Sequence, residues 1–176
     1  FLDDGTPVLS HDFDEKNENS VQLDSAFNLL FPYSIKINLD MKETHYIDKV
    51  ASLIEFYSLD DRSFLTGITE DKVEQVKSLA PNIDFYLNIK IPISKKYNVS
   101  YINEIGEKAK ALGAIGINLH HSNITKESVS LWHSQGLLVS VYTANSAFDI
   151  NVALYKNVDN ITTLKPLRAV KNLKNL

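Results

Sequence analysis

The strongest constraint on the fold is a regular alternation of strand-like and helix-like segments along the chain. The strand candidates are short, rich in Ile, Leu, Val and Tyr, and bounded by Gly, Pro, Asn or Asp. They are Pro7–His11, Tyr33–Asp40, Ser63–Ile68, Ile83–Ile89, Ala114–His120, Leu137–Thr143 and Asn160–Leu164. Strands that alternate with helical segments predict βαβ units with parallel pairing, and therefore an α/β protein.

Helical patterns lie between most of these strands. Tyr46–Tyr57 shows the clearest one, with apolar residues repeating at intervals of three and four. Thr69 before two acidic residues has the pattern of an N-cap and first turn. Gly113 and Gly136 have the pattern of helix-ending C′ glycines. The predicted helices are Tyr46–Tyr57, Asp71–Leu79, Ser100–Leu112, Thr125–Ser134, Ser146–Lys156 and Pro166–Leu176.

The strand faces help to choose between a closed barrel and an open, doubly wound sheet. Strands of open sheets covered on both sides are almost continuously apolar, whereas these strands alternate. In one of them Ile37 and Leu39 oppose Asn38 and Asp40. A TIM-like (β/α) barrel with a polar interior fits this pattern better. The remaining alternative is an α+β layer whose polar face meets water, but strands separated by helices rarely leave a whole sheet face bare.

The amino-acid composition excludes several kinds of chemistry and of binding partner. The chain has no cysteine, which excludes disulfides, thiolate catalysis and cysteine-bound metal centres. The net charge of −4 provides no general attraction for nucleic acid, so no nucleic-acid partner is expected. No apolar run of about 18 residues is present, so no transmembrane segment is expected. The basic residues from Lys165 to Lys174 are interpreted as the solvated face of the last helix.

In such barrels, function is carried by the loops at the carboxyl ends of the strands. The polar residues predicted there include His11, Asp40, Lys42, Lys90, His120 and Tyr142. A histidine suits acid–base chemistry because its unperturbed pKa lies near neutrality. Two lysines and a carboxylate suit an anionic substrate, with a divalent cation held by oxygen ligands. His120 is expected to line this mouth, whereas the next residue, His121, is expected on the surface.

Each candidate also has a structural interpretation. His11 could be a hydrogen-bonded histidine at a strand end, and Tyr142 a packing residue. Asp40 and Lys42 could pair with each other inside the barrel. Because divalent cations need several oxygen ligands, one carboxylate is a poor metal site, and metal binding by this chain alone is not expected.

Four segments, in order, carry a resemblance to a known family. Asp3–Asp12 resembles the Asp-Gly turn, Pro-Val strand and terminal His-Asp of the glycerophosphodiester phosphodiesterases. Ile37–Lys42 is similar to that family's strand with an acidic residue two places before a lysine. Gly136–Asn145 and Val158–Pro166 are similar to its late Gly-hydrophobic-Val-x-x-Trp-Thr-x-Asn and closing Val-Asp-Gly-Ile-x-Thr-Asp-x-Pro segments. The resemblance spans nearly the whole chain.

The chain also departs from that family pattern. The family's His-Arg-Gly and Glu-x-Asp strands should precede Phe1, and neither is in the sequence. The resemblance implies that they would supply a second catalytic histidine, a phosphate-binding arginine and two metal-binding carboxylates. Residues 1–176 are therefore expected to be a single, incomplete barrel domain, roughly its C-terminal three quarters. Asp40, Tyr142 and Leu164 stand where the family usually has Glu, Trp and Asp.

The resemblance implies metal-assisted hydrolysis of a small phosphodiester, a reaction of lipid metabolism. A glycerophosphodiester-like substrate would give an alcohol and glycerol phosphate. His11 would be the acid/base, and Asp40 would bind Ca²⁺ or Mg²⁺. Lys42 would be an electrostatic partner of the phosphate or of Asp40. Lys90, His120 and Tyr142 are predicted to contact the substrate.

Two other functions stay open. One is an inactive binding or scaffold module that kept the barrel, favoured by the changes at Asp40, Tyr142 and Leu164. The other is an unrelated barrel enzyme acting on an anionic metabolite, which only the polar interior supports. A chain that began at Phe1 would leave strand edges open, and we expect it to form homo-oligomers, swap or aggregate. On the sequence given a cytoplasmic location is favoured, although any targeting segment would lie upstream.

Overall fold

The structure, a computed structural model, describes residues 1–11 and 15–174. Strands and helices alternate along the chain as predicted. The elements are α1 (Leu23–Leu30), β1 (Ile37–Asp40), α2 (Ile47–Phe56), β2 (Ser63–Ile68), α3 (Glu70–Leu79), β3 (Asp84–Asn88), α4 (Val99–Ala111), β4 (Gly116–His120), α5 (Lys126–Ser134), β5 (Leu138–Tyr142), α6 (Ala147–Tyr155), β6 (Asn160–Ile161) and α7 (Pro166–Leu173). The chain divides into two compact units, Phe1–Phe85 and Tyr86–Leu176.

In the first unit, β1 and β2 pair in parallel, with Ile37 opposite Ser63 and Asp40 opposite Thr66. The buried stripe of α2 consists of Ile47, Val50 and Ile54. This stripe repeats at intervals of three and four because the helix presents one face to the core. Burial of apolar side chains such as these is the main favourable contribution to folding.

In the second unit, β3 to β6 pair in parallel and follow the chain order. On one face of β4 and β5 the apolar residues are fully buried: Ile117, Leu119, Val139 and Val141 are 0% exposed. Leu138, on the other face of β5, is 39% exposed. Helices α4 and α5 follow β3 and β4 as the crossover connections that parallel strands require. The predicted alternation of strand faces is therefore confirmed on the two central strands of this unit.

The opposite strand face of the second unit carries a ladder of polar side chains. Asn88, Asn118, Ser140 and Asn160 are register partners across four neighbouring strands. Asn118 donates to the Asn88 side-chain oxygen at 2.9 Å, and Asn160 donates to the Ser140 hydroxyl at 2.8 Å. These bonds offset part of the cost of burying Asn118 and Ser140, which are 3% and 0% exposed. The side-chain oxygen of Asn118 is buried without a hydrogen-bond partner among the described residues.

This connectivity is that of a TIM-like (β/α) barrel, and the predicted α/β class is confirmed. A complete barrel of this type has eight strands, whereas the described residues form six. None of the helices within those residues is long and apolar enough to span a membrane.

The predicted strand at Pro7–His11 is wrong. This segment forms only an isolated antiparallel bridge between Val8 and Gln22. The Leu9 N–H donates to Val21 at 2.8 Å and the Leu23 N–H donates to Pro7 at 2.9 Å. The pairing stops there because the partner segment turns into α1, a helix that the sequence patterns did not predict.

The strand predicted at Tyr33–Asp40 begins only at Ile37. The Arg62 guanidinium donates hydrogen bonds to the carbonyls of Phe31 and Tyr33. These carbonyls belong to a turn after α1 instead of to the sheet. The other strands agree with the predictions to within a few residues, and β2 has the predicted bounds.

The helix-ending glycines are confirmed. Gly113 and Gly136 adopt φ values of +79° and +81° after α4 and α5, which is the left-handed conformation that a C′ residue adopts. Thr69 is the N-cap residue of α3, although its side chain makes no capping hydrogen bond. The predicted helix Pro166–Leu176 ends at Leu173, and its last two positions lie outside the described residues.

Replacement of Trp132 on α5 tests the packing of the second unit. Its side chain is 0% exposed, and its Nε1 donates to the Ile102 carbonyl of α4 at 3.0 Å. We expect Trp132→Phe to lower the free energy of unfolding by about 1–3 kcal/mol, because it removes this bond and leaves unfilled volume. Urea denaturation followed by circular dichroism measures the change. Tyr97→Phe, at a ring that is 78% exposed, is the control, and equal stability of the two variants would contradict the assignment.

Candidate active site

A cleft of about 520 Å³ in the first unit brings together three of the six predicted site residues. His11, Asp40 and Lys42 all line it. Asp40 is the last residue of β1 and Lys42 follows two residues later, so their position at the carboxyl end of a strand agrees with the prediction. His11 is exposed and follows the bridge at Val8. Asp12, the partner residue of the predicted His-Asp pair, lies outside the described residues.

Asp40 and Lys42 form an ion pair, with 2.6 Å between Lys42 Nζ and Asp40 Oδ2. Their side chains are 53% and 49% exposed, so solvent screens the pair and its contribution to stability is small. Thr66 on β2 donates its hydroxyl to Asn38 Oδ1 at 3.0 Å and lies 3.3 Å from Asp40 Oδ1. The pairing of β1 with β2 therefore supports the carboxylate from its other side.

Glu43 is a residue of the cleft that the sequence analysis missed. Its carboxylate accepts from Lys16 Nζ at 3.0 and 3.2 Å. The sequence feature that could have identified Glu43 was its position directly after Lys42. Nothing in the sequence marked Lys16 as its partner.

A divalent cation does not fit these side chains as they stand. Asp40 directs one carboxylate oxygen to Lys42 and the other toward Thr66. Both oxygens of Glu43 accept from Lys16. Among the described residues, no group of three or more His, Asp or Glu side chains could hold a metal ion. Asp40 is the predicted metal ligand, and in this structure its charge is matched by an ammonium group.

The other three predicted residues lie in the second unit. His120 ends β4, Tyr142 ends β5, and the two are register partners. Their rings are perpendicular, with centroids 6.1 Å apart. Lys90 is exposed and lies two residues beyond the end of β3. All three are thus at the carboxyl ends of neighbouring strands, as predicted.

The His120 ring has a defined hydrogen-bond arrangement. Its Nδ1 accepts from the Ser122 N–H at 3.3 Å and lies 2.8 Å from the Ser122 hydroxyl. Because Nδ1 serves as an acceptor, the neutral ring carries its proton on Nε2. His120 is exposed, so this N–H is a donor available to a ligand.

His121 is not the surface residue that the sequence analysis expected. Its side chain is only 17% exposed, and its Nδ1 lies 3.7 Å from Asp149 Oδ1. Its ring lies 4.4 Å from that of His120. The other Asp149 oxygen accepts from the Ser146 hydroxyl at 2.5 Å. Burial, followed by the neighbouring His120, lowers the pKa of His121, while Asp149 acts against this shift.

The fold is shared with solved enzymes. A glycerophosphoryl diester phosphodiesterase from Silicibacter pomeroyi superposes with a TM-score of 0.73 at 18% identity, covering 89% of this chain and 57% of that one. An Oleispira antarctica phosphodiesterase, solved with the product sn-glycerol-3-phosphate, gives 0.63 at 17% identity, covering 89% and 62%. At these identities the likeness establishes the barrel fold.

A similarity in sequence supports the likeness in fold. The glycerophosphodiester phosphodiesterase of Bacillus altitudinis is 27% identical over 145 residues, covering 78% of this chain and 56% of that protein. This chain is similar in sequence to a glycerophosphodiester phosphodiesterase. It spans a little over half the length of these relatives. No family model matches it.

The environment of His121 can be tested by NMR titration. We expect its pKa to lie below the ordinary value of about 6.5, because burial and His120 disfavour the protonated ring. Asp149→Asn should lower the pKa further, since Asp149 is the group that raises it. Glu104→Gln, on the exposed face of α4, is the charge-matched control. A pKa above 6.5, or one unchanged in Asp149→Asn, would contradict this account.

Proposed function

We propose that the protein is a phosphoric diester hydrolase that cleaves a glycerophosphodiester-like substrate to an alcohol and glycerol phosphate. The observation that carries the proposal is the meeting of His11, Asp40 and Lys42 in one cleft of a chain related to the glycerophosphodiester phosphodiesterases. The product sn-glycerol-3-phosphate belongs to the Oleispira protein, and it is extended to this chain by relationship.

His11 is the proposed acid/base. In hydrolysis, water adds to phosphorus while the bond from phosphorus to the ester oxygen breaks, and the departing alkoxide must gain a proton. A histidine can exchange that proton near neutral pH. His11 is exposed in the cleft, so a ligand can reach its ring without rearrangement of the core.

Lys42 is the proposed electrostatic partner of the phosphate. Negative charge grows on the phosphoryl oxygens as water adds, and a fixed ammonium group stabilises that charge. Half of the Lys42 side chain is exposed, and its paired carboxylate belongs to the same strand end. Lys42 can therefore contact an arriving phosphate while remaining near Asp40.

Lys90, His120 and Tyr142 are proposed substrate contacts. They share the carboxyl ends of adjacent strands, which is the functional edge of a barrel. His120 offers an Nε2–H donor, Lys90 offers an ammonium group, and Tyr142 offers a ring face. Their chemistry suits an anionic substrate with hydroxyl groups.

A divalent cation, Ca²⁺ or Mg²⁺, remains a prediction from the family resemblance, with Asp40 as its ligand in this chain. Binding there would require Lys42 to leave the carboxylate, and further ligands would have to come from residues beyond those described. When bound, the cation would neutralise charge on the phosphate oxygens. The single barrel domain and a homo-oligomeric state also stay predictions.

The inactive binding module remains the second candidate. The observation in its favour is the Asp40–Lys42 pair, because the charges of the predicted metal ligand and of the predicted phosphate contact neutralise each other. Such a module would bind a phosphodiester without turnover.

The first test replaces His11. We expect His11→Ala to lower kcat for glycerophosphocholine hydrolysis by about 10²–10⁴-fold, because the leaving alkoxide loses its proton source. The complete protein is assayed with Ca²⁺, with Mg²⁺ and with EDTA, and His45→Ala, at an exposed histidine of the same unit, is the control. Absence of turnover by folded wild-type protein in every condition would favour the binding module.

A second test replaces Lys42. We expect Lys42→Met to lower kcat/KM by about 10²–10³-fold, since a fixed charge opposite the phosphoryl oxygens is lost. Lys36→Met is the matched control, because Lys36 is an exposed lysine just before β1. Initial rates at several substrate concentrations separate kcat from KM. Equal effects of the two variants would rule out a specific role for Lys42.

A further inference from the structure

The segment that carries Lys42 leaves the sheet and has no regular structure of its own. Residues 41–46 lie between β1 and α2. The Met41 N–H still donates to the Thr66 carbonyl of β2 at 2.8 Å, and Lys42 lies one residue beyond this bond. Strand pairing therefore does not by itself fix the place at which the Lys42 ammonium group is held.

Helix α3 contacts this segment at two points. The Lys72 ammonium group donates to the Lys42 carbonyl at 3.1 Å and to the Gly67 carbonyl at 3.3 Å. Gln75 Oε1 accepts from the Thr44 hydroxyl at 2.6 Å. Residues three apart lie on the same face of a helix, so Lys72 and Gln75 contact the segment together. We call these two residues the α3 clamp.

The α3 clamp belongs to a helix that the core holds in place. Val73 and Val76, the residues that follow Lys72 and Gln75, are 2% and 1% exposed. Lys72 and Gln75 are themselves half-buried. Thr44 is buried, and a buried hydroxyl that loses its acceptor is costly to leave unpaired. The segment after β1 is thus held against a fixed support.

Helix formation alone does not explain a lysine at position 72. Lys72 lies in the first turn of α3, where the positive end of the helix dipole disfavours a cation. The segments that carry its two acceptors are in direct contact, since a Cβ on Gly67 would collide with the Met41 carbonyl. Lys72 therefore joins the carboxyl end of β2 to the backbone of Lys42.

We propose that Lys72 and Gln75 are positioning residues for the hydrolysis. They hold the backbone of residues 41–44, so that the Lys42 ammonium group meets the phosphate at one fixed place. A charge stabilises a transition state best when it is already in position, because no reorganisation is then needed during the reaction. Neither Lys72 nor Gln75 lines the cleft, so they act through Lys42. The inference rests on the proposed hydrolase function and adds two residues to it.

The first experiment measures glycerophosphocholine hydrolysis by variants of the complete protein. We expect Lys72→Met to lower kcat/KM by about tenfold, because a small displacement of a catalytic group is costly. Lys72→Arg should restore most of the rate, since a guanidinium group can also donate to two carbonyls. Lys77→Met is the matched control, at an exposed lysine in the last turn of the same helix. Equal rates of Lys72→Met and Lys77→Met overturn the inference.

The second experiment separates positioning from a general effect of charge or of stability. In a Lys42→Met background, Lys72→Met should cause no further loss of kcat/KM, because the group that Lys72 positions is already absent. A loss equal to that in the wild-type background overturns the inference. Lys72 would then act through the electrostatic field or through the folding of the whole unit.

The third experiment measures the segment itself by NMR. We expect the backbone amides of residues 41–44 to exchange with solvent about tenfold faster in Lys72→Met and in Gln75→Met, because each variant removes hydrogen bonds that hold the segment. Gln75→Glu keeps an acceptor for the Thr44 hydroxyl, and it should exchange at the wild-type rate, as should Lys77→Met. Unchanged exchange in Lys72→Met and Gln75→Met overturns the inference.

The outcomes separate the inference from the proposed function. Hydrolysis that depends on His11 and Lys42 but not on Lys72 contradicts the inference alone. If the folded protein turns over no phosphodiester, the hydrolase proposal fails, and the exchange rates still decide whether the α3 clamp holds residues 41–44. Faster exchange in both clamp variants supports that part of the inference, and wild-type exchange overturns it.

Discussion

Parallel pairing of the strands is the constraint on which the rest of the structure depends. It places the carboxyl ends of β1 and β2 at one edge of the first unit, and those of β3 to β6 at one edge of the second. Each crossover then needs a helix, and each helix buries one strand face. The other face is left for polar side chains. Site candidates and the asparagine ladder both follow from this division of the strands into an apolar and a polar face.

The class of fold could be predicted from the sequence. The two-residue period of strands and the 3.6-residue period of helices are both strong where strands and helices bury a common core. In β2 to β5 the apolar residues that define the pattern are the residues that pack, and their bounds agreed to within about two positions. The strand predicted at Pro7–His11 was wrong for a non-local reason. A strand needs a partner of matching length, and the partner of this segment becomes a helix after one bridge. No local pattern contains that information.

The candidate site, like the fold, could be predicted only where local sequence patterns determine the position of a residue. Asp40, His120 and Tyr142 could be placed because a polar residue at a strand end must lie at the mouth. The pairing of Glu43 with Lys16 could not, since it joins residues 27 positions apart through a loop without regular structure. The burial of His121 also depends on a distant residue, Asp149, which the start of α6 places beside it. Side-chain partners across loops are set by tertiary packing, which the sequence patterns do not encode.

The Asp40–Lys42 pair has a consequence for how the cleft would treat an anion. Lys42 already has a counter-ion in Asp40, so under the proposed function an arriving phosphate would not meet an unmatched positive charge. The phosphate would then enter by exchange and replace the Asp40 carboxylate at the Lys42 ammonium group. The net affinity is then the difference between two ion pairs of similar strength. A cleft of this kind favours rapid exchange over tight retention, because the departing anion is replaced by a carboxylate that never left the site.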